Sequence, residues 1–155
     1  MKELKLVEQI KQWGFDRKIT INGKPATQAN KTMEEGLELL EAYLECDTDK
    51  LKDAIGDVAV TLMMQLELHD LEYPYVEPYA KEDVLKTIYY ILNETNNLQK
   101  QINLGESGES TIEVILKLLK SFEYDFVECL ELAYNEIKDR KGYLNEAGDF
   151  IKEVK

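Results

Sequence analysis

The sequence predicts an all-α fold, a bundle of four or five main helices, on three observations. Apolar residues recur at three- and four-residue spacing along most of the 155-residue chain, which is the mark of helices with one buried face. The stretches between them carry turn residues: Asn22-Gly23 with Pro25, Pro74 and Pro78 within 72–78, and Gly105-Glu106-Ser107-Gly108. One stretch, 58–68, is apolar nearly all round, as a central helix must be. A single domain over residues 1–155 is long enough to bury its own core.

In chain order, Leu4, Val7 and Ile10 mark a first helix, with Gly14 after Trp13 expected to end it. Residues 15–29 break the pattern, and Ile19-Thr20-Ile21 is expected to be extended. A second helix runs from about Gln28 to Glu45, with Met33, Leu37, Leu40 and Leu44 as its apolar stripe. Asp47 or Thr48 caps a third, from about Asp49 to His69. Its apolar face is Leu51, Ile55, Val58, Leu62 and Leu66, while Val60, Met63, Met64 and Leu68 cover much of the rest.

A fourth helix, about 81–101, rests on Val84, Ile88, Ile91, Thr95 and Leu98. Ser110 or Thr111 is expected to cap the next, which shows Ile112, Ile115, Leu116 and Leu119 and then Phe126, Leu130, Ala133 and Ile137. The stripe shifts phase near Tyr124-Asp125, so a break is expected there. Residues 143–155 carry no helical stripe and are expected to form an irregular or extended tail.

Composition narrows the function classes. A net charge of −12 argues against nucleic acid as a partner, because phosphate contacts need clustered Lys and Arg. No apolar run approaches the roughly 20 residues of a spanning helix, and Met1-Lys2-Glu3-Leu4 does not open a signal peptide. No membrane association and a cytoplasmic location are expected. Cys46 and Cys129 lack metal-type spacing and read as small apolar residues. His69 is the only histidine, and its setting near a helix end among acids suits the surface better than a catalytic triad.

Chemistry concentrates in two acidic clusters joined by one short turn, Glu34-Glu35-x-x-Glu38 and Asp53-x-x-x-Asp57. Residues three or four apart share a helix face, so Glu35 pairs with Glu38 and Asp53 with Asp57. If the two helices pack antiparallel, the four carboxylates converge on an all-oxygen site suited to Mg²⁺. Acids on a helix are usually solvated, but Asp53 and Asp57 head an apolar face that carries no cation. Gly36 and Gly56, each beside an expected ligand, permit close backbone approach or tight helix packing.

The ordered set Lys31-x-x-Glu34-Glu35-x-x-Glu38-Leu39, then Asp53-Ala54-Ile55-Gly56-Asp57-Val58, resembles the signature of the MazG-like, all-α nucleoside triphosphate pyrophosphohydrolases. Trp13 with Asp16-Arg17, then Gln28-x-x-Lys31, and the segments 133–142 and 150–153 resemble other parts of that family. One position departs: the family commonly has Glu three residues before the Asp, and Ala54 stands there, leaving Asp53 to serve from one residue earlier.

The resemblance implies Mg²⁺-dependent hydrolysis, with Mn²⁺ a possible substitute, of a nucleoside triphosphate to the monophosphate and pyrophosphate. The implied ligands are Glu35, Glu38 and Asp57 first, with Glu34 and Asp53 secondary; Glu38 could instead be the general base. Implied substrate contacts are Trp13, Arg17, Gln28, Lys31, Asn135, Lys138 and Arg140, although Trp13 also suits a core anchor and the basic residues a helix C-terminus. A homodimer or homotetramer is implied as well. A competing reading is a non-catalytic acidic interaction or regulatory protein, in which Asp53 and Asp57 lie in solvent.

Overall fold

The computed structural model describes residues 1–153, and Val154 and Lys155 of the expected tail lie outside the described residues. The described chain is all-α apart from one small hairpin. Its helices are α1 (Lys2–Asp16), α2 (Ile19–Asn22), α3 (Pro25–Leu44), α4 (Thr48–Leu68), α5 (Val84–Asn103), α6 (Glu109–Lys120) and α7 (Phe126–Ile137), and its strands are β1 (Gly142–Leu144) and β2 (Phe150–Lys152). None of these helices is long and apolar enough to cross a membrane.

Helix α4 is the axis of the bundle. It packs against α1, α2, α3, α6 and α7 and is buried almost continuously from Ala54 to Leu66. Asp47 caps it by accepting from the Lys50 amide at 3.0 Å, which satisfies one of the orphan donors of its first turn. Gly56 is where α7 crosses: a Cβ there would collide with the Cys129 carbonyl oxygen and the Ala133 methyl. Gly56→Ala is therefore expected to destabilise the protein by about 2 kcal/mol, as a lower midpoint in urea unfolding at unchanged slope.

Four expectations are corrected. Gly14 does not end the first helix but sits inside α1, where its missing side chain makes room for Met64 of α4. Residues 19–22 form the short helix α2 rather than an extended segment, following Lys18 in the left-handed region at φ 62°. The cap of α6 is Gly108 at φ 69°, not Ser110 or Thr111; a Cβ on Gly108 would press on Leu98. The tail needs no such correction: residues 142–152 are an extended antiparallel hairpin pairing Gly142 with Lys152 and Leu144 with Phe150.

The fourth correction concerns α3. Its core face is Ala29, Thr32, Gly36, Leu39 and Ala42, whereas Leu37 and Leu44 of the expected stripe are 51% and 69% exposed. Small residues face inward because α3 is held between α4 and α5. A Cβ on Gly36 would lie 3.2 Å from Leu92 of α5. Both glycines thus serve helix packing.

The expected break near Tyr124-Asp125 separates α6 from α7, and Asp125 caps α7 through the amides of Val127 and Glu128. The 70–83 connection is tied down by a buried group that local patterning misses. Lys120 Nζ lies 3.0 Å from the Glu3 carboxylate and 2.9 Å from the Val76 carbonyl, and Tyr73 donates its hydroxyl to Glu3 at 2.9 Å.

Candidate metal centre and its cavity

Helices α3 and α4 run antiparallel about the short turn at 45–47, and side-chain bonds fix their register. Gln28 donates to the Thr61 carbonyl at 3.2 Å and Gln65 to the Pro25 carbonyl at 3.1 Å. Farther toward the turn, Glu35 and Glu38 of α3 meet Asp57 of α4. The three residues offer carboxylate oxygens that all lie within 4.8 Å of one another, the one such group among the described residues.

Glu35 and Asp57 are partly buried, Glu38 is exposed, and Glu35 Oε2 is buried with no hydrogen-bond partner. The electrostatics follow from this crowding. Burial, then the charge of Asp57 and the neighbouring Glu38 carboxylate, pushes Glu35 up to about 8, with Lys31 opposing. Burial pushes Asp57 up to about 7, with Glu136, Glu38 and Asp53 adding to it and Arg140 opposing. Negative charge gathered here lacks sufficient positive charge from the protein itself.

A cavity of about 130 Å³ adjoins the cluster. Glu35, Asp57, Lys31, Arg140, Gln28 and Thr61 form its polar side. Its apolar side is Trp13, Ile19, Val60, Met64 and Ile137, with Leu144, Gly148 and Phe150 contributed by the hairpin. The hairpin is anchored over α3: Lys24 Nζ donates to the Glu146 carbonyl at 2.8 Å and the Thr27 hydroxyl to the Ala147 carbonyl at 2.6 Å. Phe150 meets the Trp13 ring edge-on, centroids 6.0 Å apart.

The structure thus brings together Glu35, Glu38 and Asp57, and beside them Trp13, Gln28, Lys31 and Arg140. It leaves others apart. Glu34 is exposed and pairs with Lys31 at 3.6 Å. Asp53, one turn before Asp57, is outside the three-residue group; its carboxyl is raised by burial and by Glu136, Asp49 and Asp47. Ala54 is buried in the core, and no oxygen of Asp53 joins the three-residue group.

Asn135 and Lys138 line a different groove, with Lys2 and Lys5 of α1. Arg17 is engaged with backbone carbonyls beyond α7. Several contributors had no site role in the sequence, among them Thr61, Val60 and Met64 of the cavity, Glu136 and Phe150. Glu136 acts on Asp57 and Asp53 and lies 3.9 Å from Arg140, a pairing that its i, i+4 spacing signals. Phe150 figured in the sequence only as part of the resembling segment 150–153, and it reaches the cavity through the hairpin.

No family model, curated protein or solved structure matches this chain. What the site can do follows from its donor set. Three carboxylates without His or Cys suit a hard divalent cation, Mg²⁺ or Mn²⁺, and disfavour softer metals. The unpartnered Glu35 oxygen and the two raised carboxyls fit such an ion, which would take the place of protons.

Proposed function

We propose that this chain is a MazG-like nucleoside triphosphate pyrophosphohydrolase that requires Mg²⁺, or Mn²⁺ in its place. The observation that carries this reading is the Glu35, Glu38 and Asp57 cluster beside a half-apolar cavity lined by Lys31 and Arg140. Glu35, Glu38 and Asp57 would hold the ion, which when bound neutralises phosphate charge and polarises the anhydride.

The chain's own residues supply the rest. Lys31 and Arg140 attract the triphosphate, while the apolar wall of Trp13, Val60, Met64 and Phe150 accepts the base and keeps water from that side. Glu38, the exposed member of the cluster, is in this reading the one that could instead leave the ion to Glu35 and Asp57 and take the proton of the attacking water. Water oxygen bonds to the α-phosphorus, the bond from that phosphorus to the bridging oxygen breaks, and pyrophosphate leaves with the electron pair. A homodimer or homotetramer belongs to this reading.

The test is incubation of the protein with canonical and modified nucleoside triphosphates and Mg²⁺, with products identified by phosphorus NMR. Monophosphate and pyrophosphate are expected for at least one nucleotide. Direct release of orthophosphate, or no turnover of any, refutes the proposal.

A further inference from the structure

We infer that Arg17 is a positioning residue, whose guanidinium holds the chain just past α7 so that Arg140 faces the carboxylate cluster. This rests on the metal-site reading above and assigns Arg17 a role other than substrate contact. The last carbonyls of a helix have no partner within it and must find one elsewhere. Here Trp13 of α1 and Arg17, the residue that caps its C-terminus, supply donors. Trp13 Nε1 donates to the Ile137 carbonyl at 2.8 Å, and Arg17 donates from Nη2 to the Lys138 carbonyl at 3.0 Å and from Nε to the Arg140 carbonyl.

Arg17 is itself fixed from behind. Its Nη1 reaches the Trp13 carbonyl at 3.4 Å, and its guanidinium carbon lies 5.1 Å from the centre of the Trp13 ring. The donors of its fork are thus turned toward backbone, and Arg17 does not line the Trp13 cavity. Arg140 does line it. Its amide bonds back to the Ile137 carbonyl at 2.8 Å, and its charge opposes the upward pKa shift of Asp57. Lys138 closes α7 with its amide on the Tyr134 carbonyl at 2.8 Å and residues 139–141 follow that turn, so no i→i−4 helical hydrogen bond fixes where Arg140 points. The Arg17 fork bonds the carbonyls of Lys138 and Arg140 together, a geometry that a lysine ammonium cannot reproduce.

The experiment is calorimetric titration of the protein with inorganic tripolyphosphate in saturating Mn²⁺, using wild type, Arg17→Lys, Arg140→Gln and the double variant. Arg17→Lys is expected to weaken binding about tenfold while leaving affinity for Mn²⁺ alone unchanged. Arg140→Gln weakens it at least as much, and the double variant binds no more weakly than Arg140→Gln. A structural role without coupling to Arg140 does not give that collapse of the cycle.

Wild-type affinity in Arg17→Lys, or losses that add in the double variant, overturns the role of Arg17 and leaves the metal-site reading standing. A wild-type protein that binds no Mn²⁺ tripolyphosphate overturns that reading and this inference with it. Should Arg17→Lys melt below the assay temperature, Arg17→Gln, which keeps one donor of the fork, is expected to show the same loss and the same cycle.

Discussion

Glu38→Ala and Asp57→Asn are each expected to lower pyrophosphate release by at least about 100-fold, with the fold intact. The two residues sit on different helices and meet only at the cluster, so a common effect would report the shared site. Glu38 is exposed, and truncating it leaves no core cavity. Asn at 57 keeps the shape of Asp and removes its charge, which separates electrostatics from packing.

Initial rates on the nucleotide that wild type turns over fastest, with circular dichroism as the control for folding, make the measurement. Asp53→Asn is the useful contrast: it lies one turn away on α4 and outside the oxygen cluster, so its rate is expected to fall by less than about tenfold. Glu38 and Asp57 variants that keep rates within about threefold of wild type would move the chemistry elsewhere.

Metal-free protein is expected to lose stability as pH rises between about 4.5 and about 8, and Mg²⁺ or Mn²⁺ is expected to restore it. The sign follows from the direction of the shifts. Glu35 and Asp57 are raised above their ordinary values, so the folded state binds protons that the unfolded state has released. Their stabilising effect is complete below the ordinary carboxylate range and is lost as pH climbs through about 7 for Asp57 and about 8 for Glu35.

Each extra proton held by the folded state tilts stability by about 1.4 kcal/mol per pH unit. A divalent ion binds the ionised carboxylates, so its protection grows with pH over the same window. Melting temperatures measured across pH in chelator and in excess Mg²⁺ would show two curves that diverge toward alkaline pH. Glu35→Gln is expected to flatten the chelator curve, raise the melting temperature near pH 8 and lessen the Mg²⁺ effect. Parallel curves with and without Mg²⁺ would argue that no ion binds there.

The competing picture of solvated acid rows meets a physical obstacle in Asp57, which is partly buried and faces the cavity. Charge alone along α3 would not have separated the two pictures, since Glu34 and Glu38 are both exposed. The distinction comes from α4, where the apolar run around Asp57 leaves its carboxylate little water. That much is legible in the sequence, because a helix that is apolar all round has to be central.

The sequence by itself determined what helical periodicity can encode. The helices other than α2, the Asp47 cap, the break before Asp125, and the sharing of one face by Glu35 and Glu38 are all set by residues within about four positions of each other. Tertiary structure decided the rest. It turned Leu37 and Leu44 outward, because the crossing with α5 demands small residues on α3. It set Asp53 apart from the cluster and drew Arg17 to the carbonyls beyond α7. It also folded 142–152 back as a wall of the cavity. These outcomes depend on partners distant in the chain, up to 124 positions for Trp13 and Ile137, and no local spacing carries that information.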